Sequence, residues 1–425
     1  FQEHARRGRP RERDHALATR HVRLARIPAP RYRPIPRDRR DPSRWTATSP
    51  MEAVDQAFLA TVRANPRLRP RVGNPDEMRS NRMQETLDAL KFRVTDPERG
   101  IPESLDGAVI TALNEEAVAS AALGNKAGIN IIVTYEAFGA KMHGVVRQEI
   151  IFANHLNAAG RPPGWLSVPL VLTSHTWENG KNEQSHQDPA LAEVLLGEPS
   201  DVSRVLFPAD HNTAAAVMRA VYQTRGQIWA LVIPKAGGIP DLFTEEEAVR
   251  LLADGALRLD WAGLQPADAR VVLTAVGAYQ LGHALRASTR LTERGVAHAV
   301  NYMLEPGRFR FPRGAREAAH MASGAVRSRL YPEAVAARVF LTHTRPEALL
   351  GVLQPLSTGL LTAALGFANH GGTFDTDGLL FVNGATWAHG VDAVARLLAM
   401  DRAALLSAEE QAALDHRASP QGVLI

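Results

Sequence analysis

Residues 166–189 read LSVPLVLTSHTWENGKNEQSHQDP, an apolar run followed directly by a dense polar stretch. The run Leu166–Thr173 has the length and apolar character of a buried strand. The polar loop, residues 173–189, carries amides, imidazoles and hydroxyls that could hold a polyhydroxylated or phosphorylated ligand. Ligands bind at the carboxyl ends of strands in doubly wound sheets, so the polar loop is a candidate binding site. A solvated loop is the alternative that composition alone favours.

Apolar runs alternate with helical patterns around this loop, which predicts a mostly parallel sheet covered on both faces. Strands of this first unit are predicted at Ala108–Ala112, Gly128–Thr134, Leu166–Thr173, Val205–Pro208 and Ile228–Pro234. Helices are predicted at Glu116–Leu123, Ala137–Ala153, Thr213–Thr224 and after the cap Thr244. An earlier helix is predicted from a capping box at Ser49-Pro50-Met51-Glu52, so we assign this domain to residues 49–262.

A second α/β unit follows a plausible linker at residues 262–269 and is assigned to residues 270–425. Its strands are predicted at Val271–Val276, Ala297–Met303, Val339–Thr342 and Leu379–Val382. Its helices are predicted at Tyr279–Glu293, Glu347–Leu356 and Val391–Met400. The predicted fold is therefore α/β, with two doubly wound and mostly parallel sheets.

The segment before the first unit, residues 1–48, is rich in arginine and proline and is predicted to be an extended arm or linker. Residues 1–40 hold thirteen arginines and four acids, a net charge of +9 in a chain whose total is +4. Such an arm could bind nucleic acid, an acidic partner or a neighbouring domain. Base stacking needs interleaved aromatics, and residues 1–40 contain only Phe1 and Tyr32, so nucleic acid is the less favoured partner.

Composition excludes several classes of protein. The 425 residues contain no cysteine, which excludes disulfides, zinc fingers, iron–sulfur ligation and thiol catalysis. Apolar runs are too short for a membrane span, and no signal-peptide pattern opens the sequence, so we expect a cytoplasmic enzyme or enzyme subunit. Phosphate-loop, Gly-x-Gly-x-x-Gly, Gly-x-Ser-x-Gly and His-Glu-x-x-His motifs are absent, and the histidines show no metal-ligand spacing. No metal site is therefore predicted in this chain.

The polar loop resembles the Thr-Ser-His-x-Trp-…-Asn-…-Ser-His-Gln-Asp-Pro segment of the phosphoketolases, thiamine diphosphate enzymes related to transketolase. Further stretches resemble the family in the same order: Asn74–Arg82, Thr134–Phe138, Ile233–Lys235 and Asn369-His370. The resemblance covers the pyrimidine-binding and transketolase-type C-terminal domains only. The Gly-Asp-Gly of the Mg²⁺ and diphosphate site is missing from the sequence. This implies a separate diphosphate-binding subunit that supplies the Mg²⁺ site, or else a cut within a longer polypeptide.

The resemblance assigns the cofactor glutamate to Glu115, because Leu113-Asn114-Glu115-Glu116 stands where the family has Leu-Ser-Glu-His. This carboxyl group would hydrogen-bond the aminopyrimidine ring, a role that calls for burial and a raised pKa. Glu116 stays open as the alternative, because the alignment has a small gap there. Glu136 is more conspicuous in the sequence, but by this alignment it is not catalytic.

The resemblance also implies roles for other residues around the cofactor and substrate. Tyr135 and Phe138 would line the pyrimidine pocket, and His186 would shuttle protons to sugar hydroxyls. The implied substrate-binding residues are Asn179, Lys181, Asn182, His186, Lys235, Asn369 and His370. Asn179 and Lys181 replace the Gln and His of the family, so the cofactor chemistry is expected to be kept while substrate recognition differs.

The implied activity is cleavage of a ketose or ketose phosphate, with the two-carbon unit released as acetyl phosphate or passed to another acceptor. The implied assembly is a homodimer, or an α2β2 complex with the diphosphate-binding subunit. Two other interpretations stay open. One is a non-catalytic scaffold or regulatory subunit that retains the fold, and the other is a nucleic-acid-binding protein that acts through its arm.

Overall fold

The computed structural model of the chain describes residues 21–425. Strands β1 to β15 are, in chain order, Ala47–Thr48, Pro70–Gly73, Phe92–Arg93, Glu103–Ser104, Val109–Ile110, Ile129–Tyr135, Val168–Thr173, Ser203–Leu206, Ile228–Val232, Ile239–Pro240, Ala256–Arg258, Val271–Val276, His298–Met303, Ala337–Thr342 and Leu361–Leu365. Helices α1 to α17 are Pro50–Ala64, Gln84–Leu90, Glu115–Leu123, Glu136–Gly139, His143–Ala158, Ala190–Leu196, His211–Val221, Glu245–Asp254, Ala278–Glu293, Ala315–His320, Gly324–Leu330, Pro346–Val352, Gln354–Ser357, Thr376–Val382, Trp387–Leu397, Arg402–Leu405 and Ala408–Leu414. None of the described helices has the length and apolar character that a membrane crossing requires.

The first sheet brings the ends of its central strands to one edge. Its strand order is β4-β3-β5-β2-β6-β7-β9-β8, and every pairing is parallel. The central strands β7 and β9 are buried along their whole length, which explains their unbroken apolar runs. Tyr135, at the end of β6, pairs in register with Thr173, at the end of β7. The residues that follow β6, β7 and β9 therefore meet at the carboxyl edge of this sheet.

The second sheet has the order β11-β13-β12-β14-β15 and is parallel except for β11. The predicted α/β fold with two mostly parallel sheets is confirmed. Strand β11, Ala256–Arg258, lies before the predicted linker but pairs with β13. The chain therefore enters the second sheet earlier than the sequence predicts.

One predicted strand is wrong. Residues 379–382 lie in helix α14, Thr376–Val382, whose first turn is capped because the Asp375 side chain accepts a hydrogen bond from Gly378 N. A four-residue apolar run does not distinguish a buried strand from a buried helix. The strand that closes this side of the sheet is instead β15, Leu361–Leu365, which the sequence pattern does not predict.

The predicted capping box at Ser49 is also wrong. Helix α1 begins at Pro50 as expected, but the Ser49 side chain makes no capping hydrogen bond. Its hydroxyl instead donates to Lys235 O at 2.8 Å. The serine therefore ties the start of α1 to the segment that follows β9.

Residues 21–48 form an extended strap across the first unit, whereas the first twenty residues of the predicted arm lie outside the described residues. Val22 N donates to Gly164 O at 2.9 Å near one end of the strap. Arg33 pairs with Glu52 at 3.1 Å, and Arg39 pairs with Glu247 at 2.5 Å. Part of the positive charge of the arm is therefore neutralised by acids of the same chain.

Candidate active site

Glu115 is the first residue of helix α3, Glu115–Leu123, and its burial distinguishes it from its neighbour. The Asn114 side chain caps the helix by accepting a hydrogen bond from Ala117 N. Glu115 is only 9% exposed, and its Oε1 lies 2.9 Å from Lys141 Nζ. Glu116 is exposed. Of the two candidate glutamates, Glu115 is therefore the one that packs beside other polar groups.

A second carboxylate, which the sequence analysis did not single out, lies beside Glu115. Asp76 Oδ2 accepts hydrogen bonds from Tyr135 N at 3.0 Å and from Thr134 Oγ1 at 3.2 Å. Burial raises the pKa of Asp76, and the charge of Glu115 raises it further against those hydrogen bonds. The charge of Glu115 therefore contributes to the raised pKa of Asp76 at the end of strand β6.

Aromatic rings continue the surface from these carboxylates to the polar loop. The Tyr135 and Phe138 ring centroids are 6.2 Å apart and nearly parallel. Phe138 meets the His186 ring edge-on at 4.9 Å, and Lys141 Nζ lies 4.8 Å from the Phe138 centroid. The structure thus brings together Glu115, Tyr135, Phe138 and His186, which the resemblance had assigned to one site.

Lys235 extends this surface into a polar pocket. Its Nζ donates to Ser80 Oγ at 3.1 Å and lies 4.8 Å from the Tyr135 ring centroid. The Ser80 and Tyr135 hydroxyls are 2.9 Å apart. Burial lowers the pKa of Lys235, and the charge of Arg82 adds to this, whereas Glu178 opposes it. Lys235, which follows Tyr135 by 100 residues in sequence, thereby joins the aromatic surface beside Glu115.

The polar pocket has a volume of about 410 Å³ and carries mostly positive charge. Its lining includes Arg79, Ser80, Arg82, Glu178, Lys235 and Tyr279. Glu178 accepts hydrogen bonds from Lys235 N at 3.0 Å, Ala236 N at 2.8 Å and the Tyr279 hydroxyl at 3.2 Å. Of these residues, only Lys235 is predicted from the sequence, although Ser80 and Arg82 lie within the stretch Asn74–Arg82, whose resemblance to the family identifies them as candidates.

The polar loop folds into three short 3₁₀ turns, at Thr176–Glu178, Gly180–Asn182 and Gln184–His186. Asn179 is buried and braces the loop, because its Nδ2 donates to Ser174 O and its Oδ1 accepts from Asn182 Nδ2 at 2.9 Å. Lys181 is exposed. The amide of Asn179 is thus engaged within the loop, and its predicted contact with substrate stays a prediction, as do those of Lys181 and Asn182.

The Asn369-His370 turn lies against the polar loop. Asn369 O accepts a hydrogen bond from Gln184 Nε2 at 3.3 Å, and Gly372 O accepts one from Gln187 Nε2 at 3.0 Å. The side chains of Asn369 and His370 are exposed. Main-chain contacts therefore place this turn beside the candidate site, and a role for its side chains stays a prediction.

A separate polar cluster joins the two units behind the site. Glu136, which follows β6, is fully buried, and its Oε1 lies 2.8 Å from Nε2 of His343, which follows β14. Glu136 also accepts hydrogen bonds from Thr176 N and Oγ1 at 2.8 and 2.9 Å. Burial raises the pKa of Glu136, but His343, His175 and these hydrogen bonds outweigh it, so the net pKa is lowered.

Three side chains of this cluster, Glu136, His175 and His343, each offer a potential ligand atom within 4.8 Å of the others. The sequence spacing of the histidines did not group them. His343 already contacts both oxygens of Glu136, at 2.8 and 3.0 Å, whereas the buried Nδ1 of His175 has no hydrogen-bond partner among the described residues.

Comparison with known sequences supports the resemblance over part of the chain. Residues 52–224 match the family model of D-xylulose 5-phosphate/D-fructose 6-phosphate phosphoketolase. A probable phosphoketolase of Streptomyces avermitilis is 30% identical over 239 residues, which cover 54% of this chain and 30% of that protein. One of Lactococcus lactis is 27% identical over 269 residues, covering 61% of this chain and 31% of that protein. The matched part thus spans about a third of the length of these relatives.

Comparison with solved structures shows a transketolase-like fold. A transketolase from Leishmania mexicana superposes with a TM-score of 0.63 at 17% identity, over 83% of this chain and 46% of that one. A split-gene transketolase, solved as an inactive β4 tetramer, superposes with a TM-score of 0.56 at 17% identity, over 84% of this chain and all of that one. The resemblance to part of a phosphoketolase is therefore confirmed, together with the fold that it implies.

Proposed function

We propose that this chain is the pyrimidine-binding and C-terminal part of a phosphoketolase-like, thiamine diphosphate-dependent enzyme. The enzyme cleaves a ketose or ketose phosphate and releases the two-carbon unit as acetyl phosphate or passes it to another acceptor. One observation carries the proposal: the nearly buried Glu115 carboxylate is continuous with the Tyr135–Phe138 rings and with the polar pocket at Lys235.

The residues around Glu115 fit the pyrimidine end of thiamine diphosphate. Glu115 would hydrogen-bond the aminopyrimidine, and the adjacent rings of Tyr135 and Phe138 offer an apolar surface for packing an aromatic ring. When bound, the cofactor supplies a nucleophilic carbon for cleaving the bond beside a ketose carbonyl. His186, against Phe138 and partly exposed, would move protons at its imidazole, whose two ring nitrogens can donate and accept hydrogen bonds.

The polar pocket would hold the phosphate or the hydroxyl groups of the sugar. Arg82 and Lys235 supply positive charge, and the Ser80 hydroxyl is a neutral hydrogen-bonding group between them and Tyr135. Arginine binds phosphate through paired N–H donors, and lysine binds it as a point charge. Glu178 orients the Lys235–Ala236 segment through their two backbone N–H groups.

A partner would complete the site. Leu113, two residues before Glu115, is 99% exposed. Another protein surface would bury this leucine together with the neighbouring polar groups. We infer that a diphosphate-binding subunit covers this face and supplies the Mg²⁺ and diphosphate contacts, in a dimer or an α2β2 assembly. The full coverage of the split-gene transketolase chain supports this arrangement.

Calorimetry with thiamine diphosphate and Mg²⁺ tests the proposal on three samples: the chain alone, the chain with a separately expressed diphosphate-binding subunit, and that assembly with Glu115→Gln. We expect tight binding only in the assembly, and weaker binding with the variant. Assays with and without inorganic phosphate then separate acetyl phosphate formation from transfer to another acceptor. A folded assembly that binds no cofactor would leave a non-catalytic scaffold as the better interpretation.

A further inference from the structure

A second pocket lies between the strap and the first unit, away from the candidate active site. It has a volume of about 420 Å³ and is lined by strap residues 26–31, by helix α1 and by helix α7. None of its lining residues lines the polar pocket at Lys235. Pockets of this size accommodate small-molecule ligands. We call it the strap pocket.

Four arginines line the strap pocket: Arg26, Arg31, Arg63 and Arg219. All four are exposed, and within residues 21–425 none of their guanidinium groups has a carboxylate within ion-pairing distance. Among the strap arginines outside this pocket, Arg33, Arg39 and Arg44 are ion-paired, whereas Arg23, Arg37 and Arg40 have no ion pair within residues 21–425. The four lining arginines thus place unpaired positive charge around one cavity.

Small side chains line two walls of the strap pocket. Ala53, Ala57 and Ala60 lie at helical spacing on α1, and Ala215 lies opposite on α7. Methyl groups at these positions leave room that longer side chains would fill. Among the described residues, Glu85 is the only acid in the lining, so these residues give the pocket an excess of positive charge.

Hydrogen bonds hold the strap in place on both sides of the pocket. On one side, Asn65 Oδ1 accepts from Ala25 N at 2.6 Å. On the other, Asn212 Oδ1 accepts from Arg33 N at 2.7 Å. Between them, His211 Nε2 lies 3.1 Å from Arg31 O, and its Nδ1 accepts from Arg33 Nε at 3.3 Å. The backbone that forms one wall is therefore fixed by the folded unit.

We propose that the strap pocket binds a small anion carrying at least two phosphoryl groups. Guanidinium groups bind phosphate oxygens through charge-assisted hydrogen bonds, and several phosphoryl groups satisfy several arginines at once. The volume exceeds the needs of a single phosphate, and the alanine-lined floor accepts an uncharged remainder of the ligand. The site is separate from the proposed cofactor and sugar contacts, so its occupancy does not depend on the proposed function.

The test titrates inorganic tripolyphosphate into the full chain by calorimetry, at two salt concentrations. We expect saturable binding with one tight site per chain, apart from weaker binding at the polar pocket. Arg63→Ala/Arg219→Ala should weaken it about tenfold or more, which is about 1.4 kcal/mol or more. Ala57→Phe, which fills the pocket without changing charge, should weaken it similarly, provided that circular dichroism shows a folded variant.

Two matched controls separate the strap pocket from other positive surfaces. Arg67→Ala removes an exposed arginine outside the lining, and Arg82→Ala removes charge from the polar pocket. Each should change the dissociation constant by less than roughly twofold. Equal weakening by Arg67→Ala, dominant weakening by Arg82→Ala, or the absence of saturable binding would each overturn the proposal.

Discussion

Two glutamates near the end of the first sheet differ in how completely this chain satisfies them. Glu136 has no measurable exposure and is bonded to Thr176 and to His343 of the second unit. Glu115 is held by a single lysine, Lys141, whose side chain is 62% exposed, and it stands beside the fully exposed Leu113. The first carboxylate is a structural contact between units, whereas the second lies just beneath the open face, which we define by Leu113, Lys141 and the polar pocket at Lys235.

The same contrast separates the junction between units from the open face as a whole. At the junction, Arg204 Nε donates to Glu305 Oε1 at 2.7 Å, and its guanidinium stacks 3.7 Å from the Trp229 ring centroid. At the open face, Lys235 and Arg82 line a pocket that admits solvent. At the junction, both partners of the buried ion pair belong to this chain. At the open face, polar side chains stay accessible to solvent at the pocket where a ligand is expected.

The largest effect is expected at the junction, from Arg204→Met. Glu305 would lose its guanidinium partner in a site where its own side chain is 1% exposed. Removing one partner of a buried ion pair costs about 3–5 kcal/mol, so the free energy of unfolding should fall by that order. Urea unfolding measures this loss. Arg147→Met, at an exposed pair with Glu198, is the control and should cost less than about 1 kcal/mol.

A substitution at the open face should lower the reaction rate and leave the free energy of unfolding nearly unchanged. Glu115→Gln should lower the rate of the reconstituted assembly by roughly 100-fold or more, because the cofactor would lose its carboxylate partner. Glu116→Gln changes the adjacent exposed residue and should alter the rate by less than about threefold. Steady-state rates with saturating cofactor check this expectation, and equal losses in both variants would remove the distinction between the two glutamates.

A buried carboxylate beneath the strap should make stability depend on pH. Burial, together with the charge of Asp210, raises the pKa of Asp241 from 3.8 to about 6. Between these values the folded chain keeps a proton that the unfolded chain releases, so the free energy of unfolding falls as pH rises through this window. Asp241→Asn removes that titration. Relative to the unmodified chain, the variant should gain on the order of 1–2 kcal/mol between about pH 4 and pH 7.

Urea unfolding at several pH values measures this difference. Asp241 also accepts hydrogen bonds from Thr48 Oγ1 at 3.1 Å and from His211 N at 3.3 Å, so the variant has a constant loss that does not vary with pH. The slope with pH is therefore the informative quantity. Asp268→Asn, at an exposed position, should leave the slope unchanged, and an unchanged slope in Asp241→Asn would contradict the assignment.

The smallest effect is expected from a single charge in the polar pocket. Lys235→Met should raise KM for a ketose phosphate about tenfold, which is about 1.4 kcal/mol, and should leave KM for the unphosphorylated sugar nearly unchanged. Lys91→Met removes an exposed lysine outside the pocket and is the matched control. Equal increases in KM for both substrates would show that Lys235 positions the sugar in general and does not bind its phosphate group.

Several features of the site follow from local sequence, and others do not. Strand β12, Val271–Val276, coincides with its prediction because a short apolar run between polar ends encodes a buried strand. For residues 379–382 the sequence pattern predicts a strand, but the structure has a helix, because a four-residue apolar run is too short to show a helical or strand period. Ser49 begins a helix as predicted, but its hydroxyl binds Lys235 O, a partner 186 residues away that local spacing does not reveal.

Local patterns in the sequence are sufficient to predict the two mostly parallel sheets and, through ordered motifs, the candidates Glu115, Tyr135, His186 and Lys235. Apolar periodicity acts over a few residues, so it can be read directly along the chain. The contacts of Lys235 with Ser80, across 155 residues, and of His343 with Glu136, across 207, are visible only in the folded chain. Such contacts depend on which strand ends the parallel topology places side by side. For the same reason, only the folded chain shows the unpaired arginines around the strap pocket.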